Sequence, residues 1–283
     1  MKSTFLKSIA FFAVTMMLTA QDPAPPPQRT TLPFSDPSRP KSLIVDIPTG
    51  SVKITGYDGS DAVIEYSGRG LGPRNRAHRD DMPPGMHRLD QPSNAVDATQ
   101  ENNVVRVKGG FWEHLSIEVK VPKQTTLDLK TMNGSISVEG ISGEMTIDAM
   151  NGHINVQDAS GSVVAHSMNG RIVASLTQVS AAKASSFSSM NGSIEVTLPA
   201  DLKARLKMKT DRGEIYTDFD VKVESATGST TVAPDAGRKT GLPNLPNLPS
   251  LPHLDRTLYG TINGGGPEMQ FTTYNGRIVI RKK

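Results

Sequence analysis

The chain of 283 residues has no cysteine, one tryptophan and only 5% aromatic residues. Without cysteine there is no disulfide framework, thiolate metal site, cysteine nucleophile, iron–sulfur cluster or lipidated N-terminal Cys. Excess charge of one sign is also lacking: 31 Lys plus Arg stand against 28 Asp plus Glu, so no global field recruits nucleic acid. Hydrophobic content is 36%, low for a large compact enzyme yet well above that of a disordered chain. What is abundant is glycine, 25 residues, and proline, 20. Such a composition implies many turns and thin layers.

Residues 1–20 read as a signal peptide, with Lys2 and Lys7 ahead of an apolar run from Ile9 to Leu18 and a small-residue cut site at Ala20. The run is shorter than the ~20 residues that span a bilayer. No later stretch is apolar enough to be a membrane helix, so the mature chain is expected in the periplasm, at the cell surface or outside the cell. Residues 21–40 hold seven prolines and read as an extended, polyproline-like linker.

The informative feature lies between Met132 and Leu176. Gly134, Gly143, Gly152, Gly161 and Gly170 recur every nine residues. Asn133, Asn151 and Asn169 precede alternate glycines in Met-Asn-Gly, and Ser142 and Ser160 precede the others, so the full unit is two such periods. Asn191-Gly192 and Asn275-Gly276 continue the motif after irregular gaps, and Arg212-Gly213 is a degenerate copy. Two residues after each glycine stand Ile136, Met145, Ile154, Val163 and Ile172, and four after stand Val138, Ile147, Val156, Ala165 and Ala174. Mostly polar residues fill the gaps, among them Ser135, Ser137, Glu144, Thr146, His153, Asn155, Ser162 and Arg171. Period two is a strand with one buried face, and glycine supplies the positive φ that such turns need.

Two architectures use this pattern. In an antiparallel meander each Asn-Gly makes a hairpin. In a parallel β-solenoid each strand pairs with its counterpart one full unit later, and the Asn/Ser alternation favours this because like corners then stack. The asparagines would form a ladder along one corner. Flanking strand patterns occur at Leu43–Ile47, Val52–Ile54, Leu115–Val121 and Ile194–Leu198. The last strand, Arg277–Arg281, carries charges that would protect a sheet edge.

Val121-Pro122-Lys123 through Leu127, followed by Asn133-Gly134-Ser135-Ile136-Ser137-Val138, resembles the bacterial putative-adhesin family of otherwise unknown function. Leu198-Pro199-Ala200-Asp201 to Gly213-Glu214-Ile215, and Gly264-Gly265-Gly266 to Tyr274-Asn275-Gly276-Arg277-Ile278, are similar to its later coils. The resemblance covers roughly 41–283 and implies a β-solenoid on the exported side of a bacterial envelope. The family has no agreed catalytic residues to carry over.

Two insertions interrupt the solenoid domain of 41–283. The first, about 69–99, carries Arg69, Arg74, Arg76 and Arg79, a basic cluster that could meet an anionic polymer or headgroup or be a solvated loop. The second, about 234–256, carries Leu242, Leu245, Leu248, Leu251 and Leu254 within a Leu-Pro repeat. Polyproline II has three residues per turn, so these leucines share one stripe. It could pack on the solenoid wall, dock a partner or be a low-complexity loop.

Catalysis finds little support. Residues one full unit apart would stack, placing Glu139 by Gln157, Glu144 by Ser162 and Asp148 by His166, with no carboxylate pair of the glycosidase kind. His153 beside Arg171 is another isolated contact. The turns lack the Asp of calcium-binding nonapeptide repeats, and no metal or cofactor is expected. The reading is an all-β, non-enzymatic, adhesin-like solenoid at the cell envelope, with envelope polysaccharide or another envelope protein as partner and no nucleic acid. Alternatives are an envelope-stress regulatory partner and a polysaccharide-active enzyme.

Overall fold

Alternation of apolar and polar residues commits each repeat to one dry and one wet face, and the fold is built from strands that obey it. The structure, a computed structural model, describes residues 27–36, 38–70, 96–110, 112–224 and 257–283. Among these residues there are 20 strands and no helix. In chain order they begin β1 (Gln28–Pro33), β2 (Lys41–Thr49), β3 (Ser51–Tyr57), β4 (Asp61–Gly70), β5 (Val96–Glu101), β6 (Val104–Gly109) and β7 (Trp112–Pro122). The regular region holds β8 (Thr125–Asn133), β9 (Ile136–Glu139), β10 (Ser142–Asn151), β11 (Ile154–Asn169), β12 (Ile172–Val179), β13 (Ser185–Asn191) and β14 (Ile194–Leu198). The last are β15 (Ala204–Arg212), β16 (Ile215–Thr217), β17 (Lys222–Glu224), β18 (Thr257–Ile262), β19 (Glu268–Asn275) and β20 (Ile278–Lys282).

In the regular region pairing is parallel. Ser142 lies opposite Ser160 and Asn151 opposite Asn169, one full repeat unit apart. The same register joins β8 to β10, β9 to β11, and β11 to β12 over Ile154–Val156. These strands do not form the meander alternative. Each coil is one strand ending at an Asn-Gly corner and a second strand after it, which gives a solenoid-like stack with two faces. One face runs β5, β6, β2, β8, β10, β11, β13, β19, β15, β18, β17. The other runs β1, β4, β7, β3, β9, β11, β12, β14, β20, β16. The long strand β11 crosses a Ser-Gly corner and serves both.

The core lies between the faces. Leu127, Leu129, Met145, Ile147, Val163, Ala165 and Phe187 point inward from one, and Ile136, Val138, Ile154, Val156, Ile172 and Ile194 from the other. Burying each of the larger aliphatic side chains contributes about 1.5–3 kcal/mol. The Phe187 and Phe271 rings stack at 5.4 Å and 10°, joining β13 to β19.

That contact marks the main departure from a sequential stack. The C-terminal coil β19–β20 is inserted between the coils β13–β14 and β15–β16: β20 pairs with β14 on one side and β16 on the other. The expectation that the charged last strand guards an edge is therefore corrected. Its charges sit on the outward positions, which face water whether or not a strand is at an edge. Arg277 instead lies 3.6 Å from Glu195, and Lys283 lies 2.7 Å from Asp158. The first coil is likewise interior, with β2 between β6 and β8 and β3 between β7 and β9.

Antiparallel strands close the ends: β4 with β1 and β5 with β6 at one, β18 with β15 and β17 at the other. Gln28–Pro33, inside the segment read as a linker, is thus a strand, and Pro33 is tolerated because β1 is an edge. Strands also extend into both borders of the first insertion, β4 to Gly70 and β5 from Val96.

The glycine reading also needs correction. Positive φ holds at Gly50, Gly134 and Gly161, but the other Asn-Gly corner glycines are not in that region. Their reason is close approach. A Cβ on Gly152 would lie 1.7 Å from the Gly134 carbonyl oxygen, and one on Gly170 2.0 Å from that of Gly152. Stacked corners leave no room for a side chain.

Candidate functional site

The Asn-Gly corner organises the surface beside it. Asn151 Nδ2 donates to Asn133 Oδ1 at 3.0 Å. Asn169 donates to Asn151, Asn191 to Asn169 and Asn275 to Asn191, each at 2.8 Å. The expected ladder therefore forms and extends to five asparagines, with Thr49 in register beyond Asn133 and Arg212 beyond Asn275. Inside the corner, Ser167, Ser189 and Thr273 donate to the carbonyls of Gly152, Gly170 and Gly192 in the next coil. Each such bond contributes roughly 1 kcal/mol, so the ladder pins register more than it supplies stability.

The residue before each asparagine must then point outward, since the one before it points in. That position holds Met132, Met150, Met168, Met190 and Tyr274, all between 39% and 51% exposed. Register places Pro48 next to Met132, so six consecutive coils present one apolar column. Neighbouring strands lie about 4.8 Å apart, which makes the column about 24 Å long. Arg212 closes its far end, its guanidinium 5.7 Å from the Tyr274 ring centre. Sequence reading assigned Met-Asn-Gly to the turn alone and missed this column. The signal was present, because the same large apolar residue precedes four asparagines at an outward phase.

Beside the column runs a groove of about 350 Å³. Pro48, Met132, Met150 and Met168 form one wall, Thr131 and Ala149 lie at its base, and Asp46, Lys130, Asp148 and His166 form the other wall. Asp148 and His166 are register partners, as their spacing predicted. Thr131 is 6% exposed, and its hydroxyl has no partner among the described residues. Along the polar wall Lys130 stands between Asp46 and Asp148, so the groove does not present a single sign of charge.

The other sequence candidates fall elsewhere. Arg69 lies in β4 with its backbone opposite Glu113. Arg74, Arg76 and Arg79, and Leu242, Leu245, Leu248, Leu251 and Leu254, lie outside the described residues. Gly143 and Gly161 stack at the Ser-Gly corner, where Ser160 donates to Ser142 at 2.8 Å. Arg171 N–H donates to His153 Nδ1 at 3.1 Å, so that pair is a backbone tie between coils.

Displaced titrations do not mark a reaction centre. A hydrogen bond from the Ser38 hydroxyl, with the Ser38 N–H, lowers the Asp36 carboxyl. The Tyr216 hydroxyl is raised by its hydrogen bond to Glu214. Both groups meet solvent and neither lines the groove. Among the described residues no group of three or more His, Asp or Glu could hold a metal ion, and no helix is long and apolar enough to cross a membrane.

No curated protein matches the chain. The chain is similar to the structure of a putative cell adhesion protein from Clostridium sporogenes at 11% identity and TM-score 0.35, covering 91% of this chain and 100% of that one. It is similar to a putative adhesin from Bacteroides fragilis at 10% identity and TM-score 0.29, covering 92% and 99%. A putative adhesin from Parabacteroides merdae matches at 7% identity and TM-score 0.28, covering 91% and 96%. Residues 42–237, more than half of the chain, match the Toastrack DUF4097 family, and the protein belongs to that family.

Proposed function

We propose that the protein is an exported, non-enzymatic, adhesin-like solenoid whose Asn-Gly corner groove binds a partner at the bacterial cell envelope. The observation that carries this reading is the exposed column Met132–Met150–Met168–Met190–Tyr274. Soluble surfaces rarely keep a contiguous apolar strip unless it meets something, and methionine suits adaptable contact because its thioether chain is flexible and polarisable. Methionine makes a poor sugar platform, so the column favours another envelope protein over envelope polysaccharide. Export rests on the signal-like residues 1–20, and the rigidity of the stacked coils would hold the column straight.

The test is retention of the mature chain on an envelope extract, compared with a variant carrying Met150→Glu and Met168→Glu. Both sites are exposed, so melting should shift by less than about 1 kcal/mol equivalent. Two buried-on-binding charges should weaken retention at least about tenfold. Equal retention by both proteins would sink the reading, and protease treatment of the extract should abolish binding if the partner is a protein.

A further inference from the structure

The outward side of β2, β8, β10 and β11 carries three rows of side chains, spaced two residues apart along each strand. The first row runs Ile44, Asp128, Thr146, Val164 across the four strands. The second is the polar wall of the groove, Asp46, Lys130, Asp148, His166. The third is its apolar wall, Pro48, Met132, Met150, Met168. Every one of these positions is exposed or half-buried.

Taken in reverse order, each row is complementary to itself. A half-turn about an axis lying along the strands, midway between β8 and β10, sets β2 against β11 of a second copy and β8 against its β10. Ile44 then faces Val164, apolar on apolar, and the Asp128 carboxylate faces the Thr146 hydroxyl. Asp46 faces His166, an N–H donor whether neutral or protonated, and Lys130 faces Asp148. Pro48 faces Met168, and Met132 faces Met150. Lys130 Nζ lies 3.6 Å from Asp128 Oδ1 on its own strand, and its flexible stem reaches from there to Asp148 of the second copy. Displaced axes lose this agreement. One strand spacing toward β2 puts Ile44 on Asp128, and one toward β11 puts Thr146 on Val164. Half a spacing sets Asp46 on Asp148 or Lys130 on His166. An axis along the coil stack through the polar wall sets each charge against its own copy, which like-charge repulsion disfavours.

We propose that this face joins two copies of the chain about that axis, with Lys130 and Asp148 paired across it. The proposal rests on the groove described above and names its envelope-protein partner as a second copy, so the contact is homophilic. Opposed methionines adapt to each other because their side chains are unbranched and polarisable. Four strands by about seven residues cover roughly 440 Å² per copy, or about 900 Å² in all, the size of a weak and reversible interface.

Charge reversal reads the pairing. Sedimentation of the mature chain should show reversible dimers as its concentration is raised toward about 1 mM. Lys130→Asp sets a carboxylate against Asp148, and Asp148→Lys sets an ammonium against Lys130, so either alone should weaken dimerisation at least about tenfold. In an equimolar mixture of the two variants each new charge meets an opposite one, and affinity should return to within about threefold of the original. Misfolding would not produce such recovery. An unsubstituted chain that stays monomeric throughout would overturn the proposal, as would single variants that dimerise unchanged or a mixture that stays monomeric. Retention on the envelope extract by a chain that never dimerises would overturn it while leaving the groove's wider binding role standing. Dimers that obey the charge rules, with retention unaffected by Met150→Glu and Met168→Glu, would uphold the contact and count against the proposed function alone.

Discussion

A chain ending after Gly266 is expected to lose its cooperative unfolding transition altogether. The deletion removes only the short tail 267–283, but that tail forms β19 and β20, which sit between coils of the fold. Met269, Phe271, Ile278 and Ile280 are fully buried there. Their loss forfeits about 6–12 kcal/mol of apolar burial, comparable with the whole stability of a typical domain. It also exposes four strand edges, on β13, β14, β15 and β16, that the missing coil had paired. In a stack built strictly in chain order the same deletion would trim one terminal repeat and leave the remainder folded. Thermal unfolding followed by far-ultraviolet circular dichroism separates the two cases. A sharp transition in the shortened chain near that of the full protein would refute the interleaved order. The family match ends at residue 237, so a fragment cut to 42–237 should fail to fold for the same reason.

Gly152→Val is the single substitution expected to cost most. The added Cβ would meet the Gly134 carbonyl oxygen at 1.7 Å and its carbon at 2.5 Å. Both are backbone atoms held by a parallel ladder on each side, so neither can swing away. The coil must separate from its neighbour or lose the corner, which also breaks the Asn151 amide bonds to Asn133 and Asn169. A loss above about 4 kcal/mol, or no soluble protein, is the expected result. Ser137→Ala lies on the outer side of β9 one strand away and should change stability by less than about 0.5 kcal/mol. Urea unfolding of both proteins gives the comparison. A Gly152→Val protein within about 1.5 kcal/mol of the original, an ordinary cost for a point mutation, would show that the corners do not stack as tightly as described.

Much of this architecture was legible because the repeat encodes its own pairing. The repeat spacing placed Asn133 beneath Asn151 and Asp148 beside His166, and both pairs are in register. The inward positions followed from period two. The order of the coils did not follow, since a repeat states which residues align but not which copies are neighbours. Phe271 and Phe187 lie far apart in the chain and carry no mutual label in the sequence until the fold brings their rings together. The caps were hidden for a related reason. Antiparallel β1 and β18 lack the Asn-Gly phase, and the prolines around β1 suggested a spacer.

The binding surface was half legible. Each methionine before an asparagine was visible as part of a turn motif, but turn chemistry explained only the asparagine and glycine. A large apolar side chain has no task at a turn, and its phase relative to Thr131, Ser167 and Ser189 inside the corner sends it outward. The Arg69–Arg79 cluster and the leucine stripe drew attention as local composition, whereas the exposed column became evident only as a line across six coils.

The central claim is that the last coil of the chain lies between two earlier ones, and the absence of native cysteine makes it testable with three double variants. Val279 is the register partner of Glu195 on one side and of Tyr216 on the other. Neighbouring parallel strands place such residues about 4.8 Å apart, inside the ~4.4–6.8 Å span of a disulfide, whereas Glu195 and Tyr216 are two strands apart at about 9.6 Å. Mild oxidation should therefore link Glu195→Cys with Val279→Cys, and Val279→Cys with Tyr216→Cys, but leave Glu195→Cys with Tyr216→Cys as free thiols. Efficient linkage of the 195–216 pair, with none at 279, would mean that the coils stack in chain order and would contradict the account.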